Sequence, residues 1–145
     1  MAEGKKSWTL TAGWVLTLIV GLLITLGGLG SMFVAYRVPE ESISGVSLAD
    51  MAKLNPDLPT ALKARRATAA SLAITTGLLV CWIALTAYKK GEKWAWYALL
   101  SSIGIGTILS MLRISLLGTS SGVGTAAVLA GLLLIALLIS FRDFR

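Results

Sequence analysis

The chain has 145 residues, of which 56% are hydrophobic and 14% charged, with no histidine, one cysteine and a formal net charge of +6. Mean hydropathy is +0.81, far to the apolar side of an ordinary soluble domain. Histidine-ligated haem or zinc, Ser-His-Asp catalysis, and disulfide exchange within the chain are excluded by these counts. The basic residues sit at the ends of apolar runs rather than in one stripe, so no nucleic-acid partner is expected.

Four continuous apolar runs fill most of the chain: residues 14–36, 67–88, 94–117 and 123–141. Each is close to the roughly 20 residues that a helix needs to cross about 30 Å of hydrocarbon. Continuous runs do not alternate as barrel strands do. The predicted fold is therefore all-α: an integral membrane four-helix bundle forming a single transmembrane domain over residues 1–145. Its spans are about 11–36, 67–88, 94–117 and 124–141, and residues 37–66 form the extramembrane segment.

The first run follows Lys5 and Lys6, is too long for a signal-peptide core and lacks a small-x-small cleavage site, so it reads as an uncleaved signal anchor. Trp8 and Trp14 near one end and Tyr36 at the other fit an interfacial belt, and the five tryptophans as a set read as anchors. Gly21 and the small-xxx-small pair Gly27 and Ser31 are predicted helix-packing positions, because small residues let two backbones approach.

Pro39 stops this helix. Ser47 is the expected cap of a short helix over 48–54, with Asp50 at capping-box spacing. Leu48, Met51 and Leu54 give that helix one apolar side, which places it on the bilayer surface or over the bundle mouth. Asn55-Pro56 ends it, and the second long helix starts near Leu58, with Asp57 as its cap and Pro59 in its first turn. Run to Tyr88, this helix is about 46 Å long. Its first turns, which carry Lys63, Arg65 and Arg66, then stand outside the hydrocarbon. Gly77 is a further packing position, and Cys81 reads as a small buried apolar residue.

Lys89-Lys90-Gly91-Glu92-Lys93 is a tight basic turn, followed at once by Trp94, Trp96 and Tyr97 as anchors. The third long helix carries Ser101, Ser102, Gly104, Gly106, Thr107 and Ser110, several of them on one side, with Gly104 taken as a packing position. Arg113 lies near its far end. An intramembrane charge is a functional hypothesis by default, weighed here against snorkelling to the headgroups. Arg113 with Lys63, Arg65 and Arg66 is the predicted contact set for an anionic lipid or a partner protein. No acidic residue lies within a span, which argues against a carboxylate proton relay. Gly118, Gly122 and Gly124 follow no strand and so make no nucleotide-binding loop.

With four spans, one side holds seven basic residues (Lys5, Lys6, Lys89, Lys90, Lys93, Arg142, Arg145) and the other five (Arg37, Lys53, Lys63, Arg65, Arg66). The positive-inside rule then puts both termini in the cytoplasm.

The stretch Leu54-Asn55-Pro56-Asp57-Leu58, then Arg65-Arg66, an apolar helix, and Tyr88-Lys89-Lys90-Gly91-Glu92-Lys93-Trp94-Ala95-Trp96-Tyr97 resembles small, uncharacterised four-helix prokaryotic membrane proteins with a basic-Gly-Glu-Lys-Trp-Ala-Trp turn. The resemblance covers residues 54–97. It implies the fold and a prokaryotic inner membrane, not an activity. With no nucleophile–base pair, metal set or cofactor motif, the expectation is a non-catalytic accessory or scaffold subunit of a larger membrane complex. Its partners would be membrane lipids and other membrane subunits or a second copy of itself. The alternative is a homo-oligomer that binds or transports a lipid or hydrophobic small molecule through Arg113 and the polar face of the third helix.

Overall fold

Length and apolar composition carry through to the architecture. In the computed structural model, which describes residues 7–38, 42–43, 45–118 and 123–145, the elements run α1 (Trp8–Arg37), β1 (Ser42–Ile43), β2 (Val46–Ser47), α2 (Leu48–Leu54), α3 (Leu58–Thr86), a 3-10 turn (Tyr88–Lys90), α4 (Lys93–Leu117), α5 (Val123–Ser140) and a closing 3-10 turn (Phe141–Phe144). Among the described residues the chain is all-α apart from a two-residue-strand hairpin. Four helices are long and apolar enough to cross a membrane. Lys5, Lys6, Pro39 and Gly122, singled out in the sequence, lie outside the described residues.

The helix boundaries have local causes. Ser47 caps α2 through its hydroxyl, which accepts the Asp50 N–H at 3.0 Å and donates to the Asp50 carboxylate at 2.7 Å. The expected apolar side of α2 is buried only at its start: Leu48 is covered, whereas Leu54 is 84% exposed. Asn55 accepts the Asp57 N–H on its side chain at 2.9 Å, turning the chain into α3. Gly91 (φ +79°) closes the turn after Tyr88–Lys90, and Gly118 (φ +64°) ends α4 in the left-handed conformation that glycine adopts without a Cβ clash.

The hairpin joins Ser42 to Ser47 and Ile43 to Val46 in antiparallel register, with Gly45 at φ +83° in its turn. It was not expected from the hydropathy pattern, which registers only long apolar runs.

The helices gather into two compact units. One comprises Met1–Leu22 with Leu78–Arg145, the other Leu23–Gly77. In the smaller unit, the second half of α1 meets the first half of α3 at Gly28. A Cβ on Gly28 would stand 2.8 Å from Ile74 Cγ1 and 3.0 Å from the Ala70 carbonyl oxygen, so only glycine admits this approach. Ala35, Ala67 and Ala70 are buried in this unit.

In the larger unit, the first half of α1 meets α5 at Gly13, where a Cβ would fall 2.8 Å from Ser140 Cβ. The core there is Val20, Ala84, Tyr88, Ala95, Leu99, Ala136, Leu137 and Phe144. Cys81 is buried as expected, with its thiol 3.8 Å from the Leu18 carbonyl oxygen.

Candidate functional site

The predicted basic set divides between the units. Lys63, Arg65 and Arg66 stand on the first turns of α3 in the smaller unit. Arg65 is exposed, and Lys63 and Arg66, three residues apart on one helix face, are half-buried. Arg66 Nε donates to Ser31 Oγ at 3.2 Å. Ser31, predicted as a packing position, therefore holds a cation in place. Arg113 belongs to α4 in the larger unit, and its side chain lies outside the described residues.

The predicted packing glycines fall in two groups. Gly21 and Gly77 are buried. Gly27 and Gly104 have open space where a Cβ would stand. Spacing selected Gly27 with Ser31, but the covered face of α1 passes through Gly28, one residue or 100° further round the helix.

Within the larger unit, one end is tightly closed. The Tyr88 hydroxyl shares a 2.5 Å hydrogen bond with Ser140 Oγ, which also donates to the Ala136 carbonyl at 2.8 Å. Thr17 is fully buried alongside and donates to the Gly13 carbonyl at 2.9 Å. Trp96 turns inward, and its indole N–H donates to the Leu137 carbonyl at 3.0 Å. It is thus a core residue, not the surface anchor that its place after a basic turn predicts. Thr9 donates to the Asp143 carboxylate at 2.6 Å, and Lys89 lies 5.0 Å over the Trp14 ring. Every buried side-chain polar atom among the described residues has a partner. The cluster ties the first half of α1, the turn after α3, α4 and α5 together through bonds that are satisfied within the unit. Sequence reading missed it because Tyr88 and Ser140 are 52 positions apart and both are ordinary residues at helix ends.

The other part of α4 is bare. Only 6% of its most apolar 18-residue stretch is buried, against 22–28% in the other three long helices. Ser101, Ser102, Gly104, Gly106 and Thr107 are exposed. Ser102, Gly106 and Ser110 recur every four residues and so share one face. The hydroxyls of Ser101, Ser110 and Ser115 donate to the carbonyls of Ala98, Gly106 and Met111 on their own helix. A back-bonded hydroxyl is satisfied in an apolar solvent and still has accepting capacity for a second helix. The large neighbours Ile105, Ile108, Leu109 and Met111 are all exposed as well. This surface can receive another helix or lipid. No three His, Cys, Asp or Glu side chains gather among the described residues in a way that would hold a metal ion.

Comparison with family models, with curated proteins and with solved structures returns no match for this chain.

Proposed function

We propose that the chain is a multi-pass membrane protein, a four-helix bundle of the prokaryotic inner membrane with both termini cytoplasmic, that serves as a non-catalytic accessory or scaffold subunit. The observation that carries this reading is the bare face of α4. Apolar area exposed to lipid needs no partner, but a four-residue repeat of small residues does more than face lipid. It brings backbones close enough for van der Waals packing and interhelical hydrogen bonds, the two forces that associate helices where no hydrophobic drive exists. The four long apolar helices support the membrane, and the basic ends beside the α3–α4 turn support the orientation.

Gentle detergent extraction from the native membrane followed by native mass spectrometry tests this. The reading expects the chain to travel at fixed stoichiometry with a different membrane protein. A monomer that carries no protein partner under conditions that preserve known complexes contradicts it.

A further inference from the structure

At the closed end of the larger unit lies a recess of about 280 Å³ lined by Lys93, Trp96, Tyr97, Phe141, Phe144 and Arg145. Its floor is apolar, since Trp96 and Phe144 are buried and the Trp96 N–H is already spent on Leu137. Its rim is aromatic and open, with Tyr97 63% and Phe141 45% exposed. Two cations stand at its mouth. Lys93 Nζ donates to the Arg145 main-chain oxygen at 2.9 Å, which fixes the ammonium there and leaves two of its three N–H groups unused by that bond. The Arg145 guanidinium lies 6.0 Å from the Phe141 ring centre. Lys93 is also the first residue of α4, where the positive end of the helix dipole favours an anion. The two acids nearby point to other donors: Glu92 accepts from the Trp94 indole at 2.6 Å and Asp143 from Thr9 at 2.6 Å.

We infer that this recess binds the phosphate headgroup of an anionic glycerophospholipid, with Lys93 and Arg145 on the phosphate and an acyl chain against Tyr97 and Phe141. Cations alone would serve any phosphate. The exposed rings beside them fit an amphiphile, because an acyl chain covers apolar area that a free phosphate leaves in water. The recess sits at the end carrying Lys89, Lys90, Lys93, Arg142 and Arg145, the side expected to meet the anionic cytoplasmic leaflet. The inference rests on the membrane reading above but not on the subunit reading.

The test is native mass spectrometry of the full chain in uncharged detergent, titrated with phosphatidylglycerol or with phosphatidylcholine of the same acyl chains. The wild type is expected to prefer phosphatidylglycerol by about tenfold or more. Lys93→Gln and Arg145→Gln are each expected to lower that preference about fivefold, from roughly the attraction that one basic side chain supplies near an anionic surface. Arg142→Gln removes a charge from the same end without lining the recess and should keep the preference. Tyr97→Ala should weaken both lipids and keep their ratio. Undiminished preference in both Lys93→Gln and Arg145→Gln overturns the inference, as does an equal loss in Arg142→Gln. Displacement of the lipid by millimolar inorganic phosphate overturns the lipid as ligand. Stripping of the protein from membranes by alkaline carbonate overturns the membrane reading itself, whereas a protein that stays but shows no lipid preference overturns only the recess.

Discussion

Helices α4 and α5 are treated differently at their two ends. At the end near Tyr88, three polar side chains have a partner on another element: Tyr88 on Ser140, Trp96 on the α5 backbone, Thr9 on Asp143. Along the stretch from Ser101 to Ser115, the hydroxyl bonds of Ser101, Ser110 and Ser115 stay within α4. The same chemistry thus has two outcomes in an apolar surrounding. A hydroxyl bonded across helices fixes the packing, and one bonded to its own turn leaves the face open to change partner. The closed end specifies the fold, and the open face is where association costs least.

Substitutions should separate the two regions. The largest effect is expected where helices touch through glycine. Gly13→Leu drives a side chain into Ser140 and the Ala136 carbonyl, only 2.8–3.1 Å from the Cβ position. It should destabilise by about 3 kcal/mol, the upper part of the range for overpacking. In the smaller unit Gly28→Ala should lose about 1–3 kcal/mol for the same reason, while Gly27→Ala, facing open space, should be neutral or slightly stabilising. Unfolding in mixed micelles, followed by tryptophan fluorescence, measures both. Equal losses at Gly27 and Gly28 would remove the distinction between the two faces of α1.

Next in size is Ser140→Ala. It takes away the closest partner of a fully buried Tyr88, and it should lower stability by about 1 kcal/mol, near the measured worth of such bonds between membrane helices. Tyr88→Phe made together with Ser140→Ala should recover part of that loss, since it removes a buried hydroxyl otherwise left with the longer 3.3 Å bond to the Ala136 carbonyl. A double variant less stable than either single one would mean that the pair does not act as a unit.

Much of this architecture is legible in the sequence, and its limits have a physical cause. Long apolar runs fix the long helices to within a few residues, because membrane helices satisfy their own backbone. The α2 cap follows from Ser47 and Asp50, a local interaction read at fixed spacing. The hairpin at Ser42–Ser47 was missed, although a Ser-Gly pair between two β-branched residues carries that signal. The Gly13–Ser140 and Tyr88–Ser140 contacts were not legible, since helix periodicity states which residues share a face but not which face is covered. For the same reason Trp96 was read as an anchor and Gly27 preferred to Gly28. Of the candidate contact residues, Lys63, Arg65 and Arg66 were found by their charge, whereas the link between Arg66 and Ser31 requires the fold.

The smallest expected effect lies outside the helical spans, at Asp50. The Lys53 ammonium, 2.8 Å away, and then the Ser47 hydroxyl hold its carboxyl below the usual carboxylate range. A depressed folded-state pKa contributes stability that is fully present above the unfolded value of about 4 and is lost as pH falls through the folded value. The protection of the α2 amides, relative to their intrinsic exchange, should therefore fall in acid, below about pH 4. Asp50→Asn should abolish that pH dependence. Because both side chains are exposed, screening keeps the effect modest, and protection of the α3 amides should not change with it.

The central claim is that the bare α4 face, not the closed end, is the surface for assembly. Its most direct test is the native mass of Gly106→Leu beside the wild type, both extracted gently from the membrane. Gly106 has open space at its Cβ position, so the account predicts unfolding within about 0.5 kcal/mol of the wild type together with loss of the co-purifying subunit. An intact assembly carrying Gly106→Leu at wild-type stoichiometry would contradict it.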